Sequence, residues 1–127
     1  VSAAMMEYAG SRQDTVSIQL QFANGSIASI SYFSNGNPHL PKEQLEVFGG
    51  GKVSVIDDFK TLQVYAKDTR KESMTQDKGH AAGIRAFLDS IRKGQACPIP
   101  FDEIDLVTRA TFAVLESLAL GGAAVTL

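Results

Sequence analysis

An α+β fold, with an open, mostly antiparallel sheet and two main helices packed on one face, is what this sequence predicts. Three observations carry the prediction. Apolar and polar residues alternate in short runs through the first 75 positions. The period then lengthens to that of an amphipathic helix, and a second, more apolar helical run follows. Strands grouped ahead of helices form segregated layers rather than βαβ units. At 127 residues the chain is one domain long, so a single domain over 1–127 is expected.

The opening "VSAAMMEYAGSRQD" has no initiating Met, basic start or continuous apolar signal core. It reads as a strand entered mid-protein, and the expectation is a piece excised from a longer chain. From Asp14 the alternation is regular, with Val16, Ile18, Leu20 and Phe22 on one face and Ser17, Gln19 and Gln21 on the other. "ANGS" follows, and Asn24-Gly25 is the usual pair for a two-residue type I′ turn. That turn would set Phe22 opposite Ile27, Leu20 opposite Ser29, Ile18 opposite Ser31 and Val16 opposite Phe33 as the core face. The reverse face would pair Gln21 with Ala28, Gln19 with Ile30 and Ser17 with Tyr32, a composition suited neither to a dry core nor to a plainly solvated surface.

After the irregular "SNGNPHLPKE", strands are expected at 43–48, 52–56, 60–66 and 70–75, joined by short connections that make antiparallel neighbours of one meander. In "QDKGHAAGIRAFLDSIRKG" the residues Ile84, Phe87, Leu88 and Ile91 form a helical stripe, with Asp77 as expected N-cap and Gly94 as stop. "PIPFDEIDLV" announces the second helix: Asp102 as N-cap, Phe101 placed to staple against Leu106, and Asp105 at the capping-box position. It should end near Gly121-Gly122. Its few polar residues between Ala110 and Leu120 predict cover on more than one side.

Composition excludes several function classes. No apolar run approaches the roughly 20 residues of a membrane span. A net charge of −2 and a basic cluster at 67–71 interrupted by Asp68 make a poor footprint for nucleic acid. Cys97 is the only cysteine, so no internal disulfide or thiolate zinc site can form, and a cytoplasmic location is expected.

The triple glycine of "EVFGGGKVSV" invites a phosphate-loop reading. A Walker-type loop needs Gly-Lys-Ser/Thr opening a helix, and a dinucleotide loop needs Gly-x-Gly-x-x-Gly between strand and helix. Here Lys52 is followed by Val-Ser-Val, which continues as strand, so the amides of a helix N-terminus are missing and a hairpin turn is predicted. His39 lies in a Pro-flanked loop and reads as a surface residue. Lys78 and His80, within "DKGH", are the candidates for substrate contact. The competing reading is structural, with Asp77 capping, Gly79 allowing close packing and His80 in a local hydrogen bond. Asp57-Asp58 occupies a turn, where Asp is common for backbone reasons. Cys97 reads as a packed small residue. No residue set forms a complete catalytic constellation or a metal site.

The succession "DTVSIQLQFANGSIASISYFSNG", "KEQLEVFGGGKVSVIDDFKTLQVY" and "DKGHAAGIRAFLDSIRKGQACPIPFDEIDLVTRATFAVLESLALGGAAVTL" resembles the C-terminal half of the Gfo/Idh/MocA oxidoreductases, over nearly the whole chain. Their C-terminal domain has a dihydrodipicolinate reductase-like α+β fold. The likeness is strongest to members carrying "KE…LEVFG…DDF", some of them fused to a zinc-type alcohol dehydrogenase-like region. The resemblance implies a substrate-side and dimerisation domain acting with an N-terminal Rossmann domain that binds NAD or NADP, on a sugar or cyclitol-type substrate. The family's nucleotide loop, its Glu-Lys-Pro lysine and its Asp-x-x-x-His pair have no matching positions, so no catalytic or cofactor-binding residue carries over, and this chain alone is expected to be inactive. The resemblance also gives the reverse sheet face a role, with Gln19, Gln21, Ala28, Ile30 and Tyr32, joined by Gln63 and Tyr65, as candidates for a homodimer face. The alternative is a non-catalytic ligand-binding or assembly module using the same sheet.

Overall fold

The structure is a computed structural model that describes residues 1–6 and 14–127. The chain is α+β, as expected, but its strands form two antiparallel sheets rather than one. They fall in two units, Val1–Gly36 with Ala96–Leu127, and Asn37–Gln95.

The first unit holds β1 (Ser2–Met5), β2 (Thr15–Gln21), β3 (Ile27–Phe33) and helix α2 (Phe101–Ala119), the sheet being ordered β1-β2-β3. The expected opening strand is present as β1; the part of that expectation falling on 7–13 lies outside the described residues. The β2–β3 register is one residue off the expected one, with Gln21 opposite Ile27, Ile18 opposite Ile30 and Val16 opposite Tyr32.

The cause is the turn. Asn24 Oδ1 accepts the Ser26 N–H at 3.0 Å, Gly25 alone is left-handed at φ +86°, and the Gly25 N–H donates to the Phe22 carbonyl at 2.9 Å. The Phe22 N–H donates to the Ser26 carbonyl at 2.9 Å. This is a type I turn followed by a left-handed glycine, the three-residue hairpin loop, not a type I′ turn. Side chains alternate with a period of two, so the slip places Tyr32, Ile30 and Ala28 on the same face as Val16, Ile18 and Leu20.

Helix α2 packs on β1. Residues Val1 and Ala3 point their backbone groups away from β2, and the chain's last segment closes that edge. The Ala3 N–H donates to Ser117 Oγ at 2.9 Å, and that hydroxyl donates to the Ala123 carbonyl at 2.7 Å. Val1 and Val125 exchange two backbone hydrogen bonds, each 2.8 Å. Ala3, Ala113 and Ser117 are the buried residues at this contact. The helix is therefore covered along one narrow stripe of small residues; Leu106, Val107, Phe112 and Leu115 are exposed, contrary to the expected cover on several sides. Pro100 is its N-cap and Asp102 lies in the first turn, so neither the Asp102 cap nor the staple at Phe101 forms; Pro presets the backbone angle at this end instead. Its C-terminus meets Gly121 and Gly122, both left-handed, near the expected stop.

The second unit is a meander in the order β4-β5-β6-β7, made of β4 (Gln44–Gly49), β5 (Lys52–Asp57), β6 (Thr61–Tyr65) and β7 (Thr69–Ser73), followed by α1 (His80–Lys93). These strands lie close to their expected positions. Gly49 pairs with Lys52, and Gly50 and Gly51 have φ +55° and +72°, the type I′ turn that the first hairpin lacks. The triple glycine is a hairpin, as read from its strand context. α1 ends at Gly94 as expected, left-handed at φ 60°, with Gln95 N–H donating to the Ser90 carbonyl at 2.8 Å. Its N-cap is Gly79 rather than Asp77. The Asp77 carboxylate accepts the Gly79 N–H at 2.8 Å, so it shapes the turn before the helix. Ile84, Phe87, Leu88 and Ile91 are exposed. No helix among the described residues is long and apolar enough to cross a membrane.

Candidate functional site

The β5–β6 turn organises a polar cleft that gathers several charged side chains within a single unit. Asp58 and Phe59 are left-handed at φ 47° and 52°, and the Lys60 N–H donates to the Asp57 carbonyl at 2.9 Å, so a type I′ turn is built from residues other than glycine. A bulky residue in that region is an outlier costing on the order of 1–3 kcal/mol, retained only where the surroundings determine it. They do so here. The Asp58 N–H donates to the Glu43 carbonyl at 2.7 Å, Gln76 Nε2 donates to the Asp58 carbonyl at 2.9 Å, and the Met74 N–H donates to the Lys60 carbonyl at 2.8 Å.

Facing this turn is the loop at 38–42, and together they enclose a cleft of about 360 Å³. Asp58, Lys60, Gln76, Lys78, His39 and Lys42 are its polar lining. The Asp58 side chain is largely buried and pairs with Lys60 Nζ at 2.5 Å, while Lys78 Nζ pairs with Glu43 Oε1 at 2.5 Å. The hydrogen bond from Lys60 holds the Asp58 carboxyl below the usual carboxylate range, burial opposing it, and Asp58 in turn raises the Lys60 ammonium. Asn37 Oδ1 accepts the His39 backbone N–H at 2.9 Å and lies 3.0 Å from His39 Nδ1. Ammonium and amide donors and the Asp58 carboxylate line the cleft, groups that can hydrogen-bond hydroxyls.

Of the two residues expected to contact substrate, Lys78 lines this cleft. His80 opens α1, is exposed and is not part of the lining. Gly79 has open space where a Cβ would stand, so its left-handed φ of +77°, not close packing, requires glycine. Asp58, Lys60, Gln76 and His39 were not read from sequence as site residues. Asp58 gave a signal as a turn aspartate, but that the segment after β7 returns Gln76 and Lys78 to it is visible only in the fold.

The seven expected dimer-face residues do not lie on one sheet face. Ala28, Ile30 and Tyr32 lie on one face of the first sheet, Gln19 and Gln21 on the other, and Gln63 and Tyr65 belong to the second sheet. The one-residue slip separates the first two groups, and the break between β3 and β4 removes the third. Cys97 is exposed rather than packed. Among the described residues, His, Cys, Asp and Glu side chains do not gather into a group that could hold a metal ion. No protein-family model, curated protein or solved structure matches the chain.

Proposed function

We propose that this chain is the substrate-side and assembly domain of an NAD(P)-dependent oxidoreductase acting on a sugar or cyclitol-type molecule. The observation that carries the substrate class is the cleft at Asp58, Lys60, Gln76 and Lys78, whose paired donors and acceptors suit a polyhydroxylated ligand. The redox class rests on the resemblance of the ordered segments described above. In this scheme a nucleotide-binding domain supplies NAD or NADP and the proton-handling residues, and this domain positions the carbinol carbon.

The test is nicotinamide reduction over a panel of sugars and cyclitols by this domain joined to its nucleotide-binding partner domain. Turnover with at least one polyol is expected, and Asp58→Asn and Lys78→Ala should each raise KM several-fold with little change in kcat, the signature of lost binding. Absence of turnover across the panel, or an unchanged KM in both variants, would overturn the assignment. The chain by itself is expected to give no turnover and to retain no nucleotide on gel filtration. A non-catalytic assembly module is the second reading, favoured by the exposed apolar side chains of β3.

A further inference from the structure

A sheet edge presents unpaired backbone groups, and natural edges are covered or carry charge. At the first sheet the β1 edge is closed by Ser117 and Val125. In the second sheet β7 carries Arg70, Lys71 and Glu72, and β4 carries Glu46 at its middle, where self-pairing would set like charges together. β3, with the sequence Ile-Ala-Ser-Ile-Ser-Tyr-Phe, has no charge and no proline. Its side chains Ile27, Ile30, Tyr32 and Phe33 are exposed, Ile27 to 79%.

The β2–β3 register decides which backbone groups are free. Phe22 N–H reaches the Ser26 carbonyl, so Ala28, Ile30 and Tyr32 face β2, and Ile27, Ser29, Ser31 and Phe33 present their N–H and C=O groups at the outer edge. The strand also reads nearly the same in both directions about Ile30. An antiparallel copy would set Ser29 against Ser31, Ile27 against Phe33, Ala28 against Tyr32 and Ile30 against itself. Polar meets polar and apolar meets apolar at every step, and the free backbone groups fall opposite one another. That self-complementarity is what a two-fold interface requires.

We infer that two copies of this chain join by antiparallel pairing of β3 with β3 across a two-fold axis at Ile30, giving one continuous six-stranded sheet. The inference rests on the assembly role proposed above and places it on the strand edge instead of the sheet face.

Sedimentation of the chain and of Ser31→Pro tests it. The Ser31 N–H points away from β2, so proline removes a hydrogen bond between copies and none within the sheet. The chain is expected to sediment as a dimer, with slowed amide exchange at Ser29 and Ser31, and Ser31→Pro should halve the mass. A dimer that persists in a folded Ser31→Pro would overturn the edge pairing while leaving a sheet-face assembly standing; a monomeric parent chain would overturn both. Should Ser31→Pro fail to fold, Ile30→Cys in a Cys97→Ser background decides. Opposed Cβ atoms in a non-hydrogen-bonded pair lie about 4.5–5.5 Å apart, so oxidised glutathione should link the copies covalently, and failure to link them would overturn the inference.

Discussion

At the scale of single residues, left-handed backbone positions decide how this chain turns. Gly51 has open space around an added Cβ, so any cost of substitution is conformational. Gly51→Ala is expected to lower stability by about 1 kcal/mol and Gly51→Asn by less, since Asn tolerates that region; urea denaturation checks both. Asn24-Gly25 shows where residue-level reading failed. The sequence pair is right for a type I′ turn, but the Asn24 side chain bonds to Ser26 and selects the longer loop. Asp58 and Lys60 make stability depend on pH. The lowered Asp58 carboxyl contributes fully above its unfolded value of about 3.9, and that contribution is lost as pH falls through the folded value. The raised Lys60 contributes fully below about 10.4, and loses its part as pH rises through its folded value. Asp58→Asn should therefore be less stable than the parent across the intervening range, with the gap closing at both ends, as read by denaturant midpoints at a series of pH values.

At the scale of elements, strands and helices were legible because their periods differ. The β4–β7 meander and both helix C-termini follow from alternation and glycine placement. Helix N-termini were less legible. Asp77 and Asp102 have the right chemistry for caps, but Gly79 and Pro100 occupy the cap positions, so Asp77 bonds to the Gly79 amide in the turn ahead of the helix and Asp102 falls inside the first turn. The docking of α2 on β1 is an element-level contact with a single polar anchor. Ser117 is fully buried, and its hydroxyl bridges the Ala3 amide and the Ala123 carbonyl. Ser117→Ala leaves both groups without that partner and should cost about 1–3 kcal/mol, measured by thermal or urea unfolding. Ser117→Thr, which keeps the hydroxyl, tests whether the hydrogen bonds rather than the space are responsible.

At the scale of the whole molecule, the buried apolar set among the described residues consists of the small side chains Ala3 and Ala113, while large apolar residues on β3, α1 and α2 stay exposed. Exposed apolar patches favour association, and charge repulsion opposes it. With a pI near 5.6, light scattering of the chain should peak close to that pH and fall to either side; a scattering profile flat in pH would show that charge does not limit association. The candidate cleft was only partly legible for a reason at this scale. Lys78 stood out in sequence, whereas its neighbours Glu43 and Asp58 come from distant positions that the meander brings together. The bridge from Ala3 to Ser117 spans nearly the entire chain, and Val1 meets Val125 beside it. During synthesis β1 is made 114 residues ahead of Ser117, the residue whose hydroxyl caps its outer edge. Until that residue has emerged, β1 offers open backbone groups to any neighbouring nascent chain, and a protein truncated before Ser117 would keep that edge open permanently.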